Sequence, residues 1–134
     1  MWQCPRCKRQ FQKNNQSHMC TLKDIGEFFV GKSDEMVLAY DDIVQVISRW
    51  DPCSIGASVN TIIATSKKAW LIIRPMKKEL DVKFYHDEEI SSKKIRKQGL
   101  WGKKYAYHIR ISRPEELDEE VFRLLKKGFE YSLR

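Results

Sequence analysis

The sequence predicts an α+β domain in which an antiparallel sheet of about four strands is flanked by N- and C-terminal helices. An apolar stripe at helical spacing runs from Met36 to Trp50, and a second helical pattern follows Pro114. Between them, short apolar or alternating segments separated by turns indicate antiparallel strands. We expect both helices on one face of the sheet, as a second layer.

Composition limits the classes of protein to consider. The 134 residues suffice for one domain with a small appendage, and a hydrophobic content of 42% provides a core. No apolar run is long enough to span a membrane and no targeting segment is recognised, so we expect a cytoplasmic protein with no membrane partner. The net charge of +7 favours a polyanionic partner such as nucleic acid.

The first twenty residues hold three of the four cysteines and one of the three histidines, spaced as C-x2-C and H-x-C. Pro5 favours a tight turn in which Cys4 and Cys7 hold one ion, and residues 18 and 20 point the same way in an extended segment. Three thiolates and one imidazole favour tetrahedral zinc with no open position. We therefore predict a structural zinc ion bound by Cys4, Cys7, His18 and Cys20.

Two alternatives to zinc stay open for this segment. A disulfide framework would need an oxidising compartment, and the other alternative is a set of free cysteines with an unused histidine. We divide the chain into a zinc finger at residues 1–21 and an α+β domain at residues 22–134. Cys53 lies apart from the finger and is expected to be a reduced, partly buried thiol.

Capping residues and turns delimit the predicted elements. Asp24 and Ser33 are predicted to cap helices that end near Gly31 and Asp51-Pro52. Ser112, followed by Pro114 and Glu115, is predicted to begin the last helix. We predict strands over residues 54–65, 69–73, 79–85 and 105–112.

Residues 86–104 are predicted to be an irregular segment with one short helix at residues 93–98. Between residues 93 and 104 there are cations and no acid: Lys93, Lys94, Arg96, Lys97, Lys103 and Lys104. The finger carries a second cluster without an acid: Arg6, Lys8, Arg9 and Lys13. Trp101, between lysines, has the composition of a base-stacking site, and the alternative is that it covers the sheet edge.

These two basic clusters predict a binding module that contacts nucleic acid with low sequence specificity. Lysine and arginine bind phosphates, and the sequence shows no element that would read bases. The alternative is a protein-interaction adaptor in which the finger and an exposed sheet edge hold another polypeptide or a second copy of the chain.

No catalytic motif is recognised, so we predict that the chain is not an enzyme. It lacks G-x-S-x-G, H-E-x-x-H and a complete phosphate-binding loop. His108, on the strand face opposite Tyr105 and Tyr107, is interpreted as a hydrogen-bonded residue. A weaker hypothesis places an enzyme or small-molecule pocket around His108, Asn60 and Arg110.

A family pattern runs through most of the chain. The finger pattern W-x-C-P-x-C-x-R-x-F and N-Q-x-H-x-C is carried by Trp2, Cys4, Pro5, Cys7, Arg9, Phe11, Asn15, Gln16, His18 and Cys20. Body patterns occur at Gly31-Lys32, Ile63-Ala64, Pro75-Met76-Lys77-Lys78, His108-Ile109-Arg110-Ile111 and Pro114-Glu115-Glu116-Leu117-Asp118.

Together these residues resemble a prokaryotic family of domains of unknown function, some members of which carry the label "predicted transport protein". The resemblance implies the finger and the α+β body but no established activity. The transport label has no support in a sequence without a membrane segment. The family pattern has a lysine where this chain has Asn60.

Overall fold

A computed structural model describes residues 2–3, 10–11 and 25–134 of the chain. Its helical elements are a 3-10 helix at Ile25–Phe29, α1 (Asp34–Ile47), a 3-10 turn at Pro114–Glu116 and α2 (Glu119–Ser132). Its strands are β1 (Trp2–Gln3), β2 (Gln10–Phe11), β3 (Ser54–Ala57), β4 (Ile62–Thr65), β5 (Ala69–Pro75), β6 (Leu80–His86), β7 (Ile95–Trp101) and β8 (Lys104–Ile111). None of the helices in these residues is long and apolar enough to cross a membrane.

The main sheet has six antiparallel strands in the order β3-β4-β5-β6-β8-β7, so the prediction of about four strands was too low. The segment predicted as one strand at 54–65 is a hairpin, in which the Ser58 N–H donates to the Thr61 carbonyl across the turn at 2.8 Å. The segment predicted as a loop with a short helix at 93–98 is largely the edge strand β7, which pairs along β8.

Residues 87–94 cross from β6 to β7 over the intervening strand β8. The strands β6 and β7 run in the same direction because each pairs antiparallel with β8. The Tyr107 hydroxyl holds the crossing segment, donating to the Glu88 carbonyl at 2.7 Å and accepting from the Ile90 N–H at 2.8 Å. Lys94, at its end, contacts Asp118 next to α2 at 2.7 Å. The crossing segment therefore lies on the face that bears α2.

Both helices pack on one sheet face, as predicted. The sheet residues of the core alternate along their strands and fall on one side: Ile62, Ala64, Leu71, Ile73, Leu80, Val82, Phe84, Tyr107, Ile109 and Ile111. Trp70, at a register shift between β4 and β5, packs on Phe129 of α2 as well. The same core includes the buried side chains of both helices: Met36, Ala39, Tyr40, Ile43, Ile47, Val121, Leu124, Leu125 and Phe129. The opposite face of the sheet carries neither α1 nor α2.

Side-chain caps set the helix starts. Ser33 caps α1, as predicted, by accepting from the Met36 N–H at 3.2 Å. The start of the last helix was predicted too early, because residues 114–116 form a separate 3-10 turn. Asp118 is the cap of α2 and accepts from the Val121 N–H at 3.0 Å. A carboxylate at this position also complements the positive end of the helix dipole.

Candidate nucleic-acid interface

The N-terminal strands β1 and β2 form a two-stranded antiparallel pair, with Trp2 opposite Phe11 and Gln3 opposite Gln10. This pairing brackets residues 4–9, which include the C-x2-C motif. The predicted ligands Cys4, Cys7, His18 and Cys20, and the finger cations Arg6, Lys8, Arg9 and Lys13, lie outside the described residues. In the described part of the chain no group of three or more His, Cys, Asp or Glu side chains is arranged to hold a metal ion. The zinc site stays a prediction.

Cys53 is a free, half-buried cysteine, as its isolation in the sequence suggested. Burial raises the pKa of its thiol to about 11. The thiol therefore stays protonated near neutral pH, and a protonated thiol is a weak nucleophile and a poor metal ligand.

The second predicted basic cluster lies on the β7–β8 hairpin at the edge of the sheet. Lys93 and Lys94 form the turn before β7, Arg96 and Lys97 lie in its first half, and Lys103 is in the turn before β8. The length of β7 separates the lysines of the turn before it from Lys103 in the turn after it by about 20 Å. The structure thus spreads these cations along one edge rather than gathering them in a single loop.

The cations of this hairpin differ in whether a carboxylate pairs with them. Lys94 is held by the carboxylate of Asp118, which raises the pKa of Lys94 through their hydrogen bond. Lys93, Arg96, Lys97 and Lys103 are exposed, and no carboxylate of the described residues lies within ion-pair distance of them. Trp101 is opposite Lys104 in the strand register.

A bulge at Arg96 shapes one end of the edge. The register of β7 against β8 shifts between Ile95 and Lys97, which leaves Arg96 as the extra residue. Beside it is an open depression of about 160 Å³ lined by Lys93, Lys94, Arg96, Ile109, Arg110, Ile111 and Glu116. Four of its seven lining residues are cationic; Lys94 and Arg110 are ion-paired, so Lys93 and Arg96 are the lining cations available to an anionic group.

The sheet face opposite the helices divides into two halves of different charge. At one end, Asp81 is buried under two partners, accepting from Arg110 Nε at 2.8 Å and lying 3.0 Å from His108 Nδ1. Arg110 also reaches Glu79 at 3.3 Å. His108 is thus hydrogen-bonded, as predicted, and Asp81 and Glu79 are both bound by cationic or imidazole side chains of β8.

The other half of this face, which we call the Tyr85 end, carries an excess of positive charge. The Nζ atoms of Lys104 and Lys83 lie 4.4 Å and 5.6 Å from the centre of the Tyr85 ring. Tyr85 is opposite Ala106 on β8, and Ala106 is opposite Gly99 on β7. No acidic residue occupies a strand position at this end of the face.

Sequence reasoning missed Lys83 and Tyr85 as site residues. The alternation of residues 79–85 placed Lys83 on the polar side of its strand, but nothing in the sequence indicated that β8 would pair with β6. That pairing brings Lys104 to Tyr85 across a separation of 19 residues. A contact of this range depends on the order of strands, which short-range patterns do not encode.

The hypothetical pocket around His108, Asn60 and Arg110 is not assembled. His108 and Arg110 are neighbours on one face of β8. Asn60 lies in the β3–β4 turn, and β5 and β6 separate that hairpin from β8 in the sheet. The weaker small-molecule hypothesis therefore loses one of its three residues.

The comparisons with known proteins concern the body of the chain. No curated protein and no solved structure is significantly similar to it. Residues 25–132 match the family described as Domain of unknown function (DUF5655), which agrees with the resemblance inferred from the sequence patterns of the body. The match begins after the finger and does not bear on it. Because it spans well over half of the 134 residues, the chain belongs to the DUF5655 family of domains of unknown function.

Proposed function

We propose that this protein is a small nucleic-acid-binding module of low sequence specificity, with a structural zinc ion in its N-terminal finger. The observation that supports it most is the distribution of charge on the edge hairpin. Lys93, Arg96, Lys97 and Lys103 are exposed and not neutralised by acids of the described residues. Unneutralised cations along an edge of about 20 Å match the spacing of phosphates over several nucleotides.

The finger extends the same proposal to the N-terminal segment. Zinc bound by Cys4, Cys7, His18 and Cys20 would fold the segment that carries Arg6, Lys8, Arg9 and Lys13. A folded segment presents these cations at fixed positions, so fewer degrees of freedom are lost when it binds phosphates. Low specificity is expected because phosphate contacts carry no sequence information by themselves.

A salt titration of oligonucleotide binding tests this function. We expect the purified chain to bind generic oligonucleotides at low salt, with an affinity that falls linearly with salt on a log–log plot. Replacing Lys93, Arg96, Lys97 and Lys103 together with glutamine should flatten that slope and weaken binding equally for different sequences. Fluorescence anisotropy of labelled oligonucleotides measures both. Binding that is absent at low salt would overturn the proposal.

A protein-interaction adaptor is the second candidate, and one feature of the edge favours it. Among the strands that the structure describes, β7 is the last of its sheet, and its Leu100 side chain is 71% exposed. An open edge with an exposed apolar side chain can add a strand from another chain. This function predicts a discrete complex or a homodimer in light scattering and no salt-dependent binding of oligonucleotides.

A further inference from the structure

We propose that the Tyr85 end of the sheet face opposite the helices binds single-stranded nucleic acid by stacking a base on the Tyr85 ring. This inference rests on the proposed function and specifies its ligand. Single strands expose the faces of their bases, whereas the bases of a duplex are stacked on one another. An aromatic side chain on an open sheet face between cations therefore suits a single strand.

The surroundings of Tyr85 provide room for a base. Its neighbours in the register are Ala106 and, beyond it, Gly99. Around Gly99, no heavy atom of the part of the chain that the structure describes lies within 4 Å of where a Cβ would be. These two register neighbours of the half-buried Tyr85 ring are therefore small. A flat group that stacks on the ring would displace the side chain of Lys104, which lies over it.

Lys104 and Lys83 place positive charge beside the Tyr85 ring. Lys104 Nζ lies over the ring at 4.4 Å, in the position that a stacked base would take. The interaction of an exposed ammonium with a ring is weak, and the lysine stem is flexible. A phosphate next to a stacked base would therefore draw the ammonium of Lys104 away from the ring and onto itself. Lys83 and Lys97 are placed to contact neighbouring phosphates on the same face.

Charge complementarity selects a polyanion for this end of the face. The carboxylates of the far half, Asp81 and Glu79, are already bound by His108 and Arg110. Beyond the end of β6, Asp87 is paired with Arg134, while Glu88 and Glu89 are exposed in the crossing segment on the helix-bearing side. The cations around Tyr85 therefore have no carboxylate partner on this face among the described residues.

The test compares three probes of about 12 nucleotides by fluorescence anisotropy with the full chain: an oligothymidylate, a duplex, and an abasic strand with the same phosphates. We expect Tyr85→Ala to weaken binding of oligothymidylate by roughly tenfold or more, and to leave binding of the abasic strand unchanged. Tyr85→Phe, which keeps the ring, should bind like the wild type. Oligothymidylate should also bind more tightly than the duplex.

Two further variants test whether binding takes place on this face of the sheet. Gly99→Glu adds a carboxylate to this face where there is open space, and should weaken oligothymidylate binding without altering Tyr85. Tyr131→Ala is the matched control, because the Tyr131 ring also has two cations near it, Lys68 and Arg134, but lies on α2. It should leave the affinity unchanged. Thermal unfolding of each variant checks that the domain is intact.

The outcomes separate this inference from the function on which it rests. If oligothymidylate and duplex bind with salt dependence but Tyr85→Ala has no effect, or affects the abasic strand equally, stacking on Tyr85 is refuted and the general function survives. If none of the three probes binds at low salt, the proposed function itself fails.

Discussion

At the scale of single residues, Glu116 joins the end of the sheet to the last helix. Its Oε1 accepts from the Ser112 N–H at 2.7 Å, the Ser112 hydroxyl at 2.6 Å and the Arg113 N–H at 3.1 Å. Burial by itself would raise the pKa of Glu116, but these hydrogen bonds outweigh it and hold the pKa below its usual value of 4.5. The ionised carboxylate is therefore bound more strongly in the folded state than in the unfolded chain.

We expect Glu116→Ala to lower the free energy of unfolding by about 1–3 kcal/mol near neutral pH, since it leaves several donors without their charged acceptor. A lowered pKa contributes stability above 4.5 that is lost as the pH falls through the folded value, so the difference from wild type should shrink in acid. Urea unfolding at several pH values measures it. Glu115→Ala, at an exposed neighbour, is the matched control and should change little.

At the junction between β8 and α2, the sequence predicted a helix start but not the residue that accepts the hydrogen bonds. The pattern Ser112-x-Pro114-Glu115 predicted a helix start, but it indicated Glu115 as the reciprocal carboxylate. The structure uses Glu116, because the first turn is a 3-10 turn and α2 starts later, at Asp118. Ser33 was predicted correctly because its cap lies directly before an unbroken apolar stripe.

At the scale of elements, α2 approaches β6 closely at Gly128. A Cβ on Gly128 would lie 3.0 Å from Phe84 Cβ and 3.1 Å from its Cδ2. Phe84 is fully buried in a strand with neighbours on both sides, and its Cβ is fixed to the backbone. Neither partner can retreat without moving the sheet or the helix.

Gly128→Ala is therefore expected to destabilise the fold by about 1–3 kcal/mol, the usual cost of overpacking. In an exposed helix the same change would stabilise by up to about 1 kcal/mol, so the sign of the effect is informative. Thermal or urea unfolding reports it. Gly99→Ala, where the added methyl group meets open space, should be close to neutral, and a stabilised Gly128→Ala variant would contradict the close contact.

The position of an element was predictable where its apolar residues recur with a helical or strand period. It was not predictable where the conformation depends on pairing with another strand. The stripe of α1 and the alternation of β6 are periodic and were predicted at nearly the observed positions. β7 contains two cations, Arg96 and Lys97, and Gly99 in a short segment, which gives it no clear period. It is extended because β8 offers it a full edge of hydrogen-bonding groups, so tertiary pairing overrides its local preference.

At the scale of the whole molecule, the body has a core of its own. Within residues 2–3, 10–11 and 25–134, the fully buried core side chains all come from Met36 onward. The aromatic side chains Trp50, Trp70 and Phe129 close it at one end, with ring centres 5.5–6.1 Å apart. The body is therefore expected to stay folded when the finger loses its metal ion.

Metal analysis tests this division. We expect the purified protein to contain near-stoichiometric zinc, and Cys7→Ser to lose it while the thermal transition of the body is retained, because ligand loss unfolds only the segment that depends on the ion. Cys53→Ser is the matched control, since that thiol is outside the ligand set, and its zinc content should be unchanged. Zinc retained in full by Cys7→Ser would refute the assignment of this ligand.

The crossing segment at residues 87–94 also constrains how the chain reaches its final structure. β7 precedes β8 in the chain, yet among the described strands it pairs only with β8, which lies between it and β6. β7 therefore has nothing to pair with until β8 has formed. The hairpin of residues 95–111 is expected to assemble first from its local contacts and to dock onto β6 as a unit, because closing a short loop costs less entropy than closing a long one.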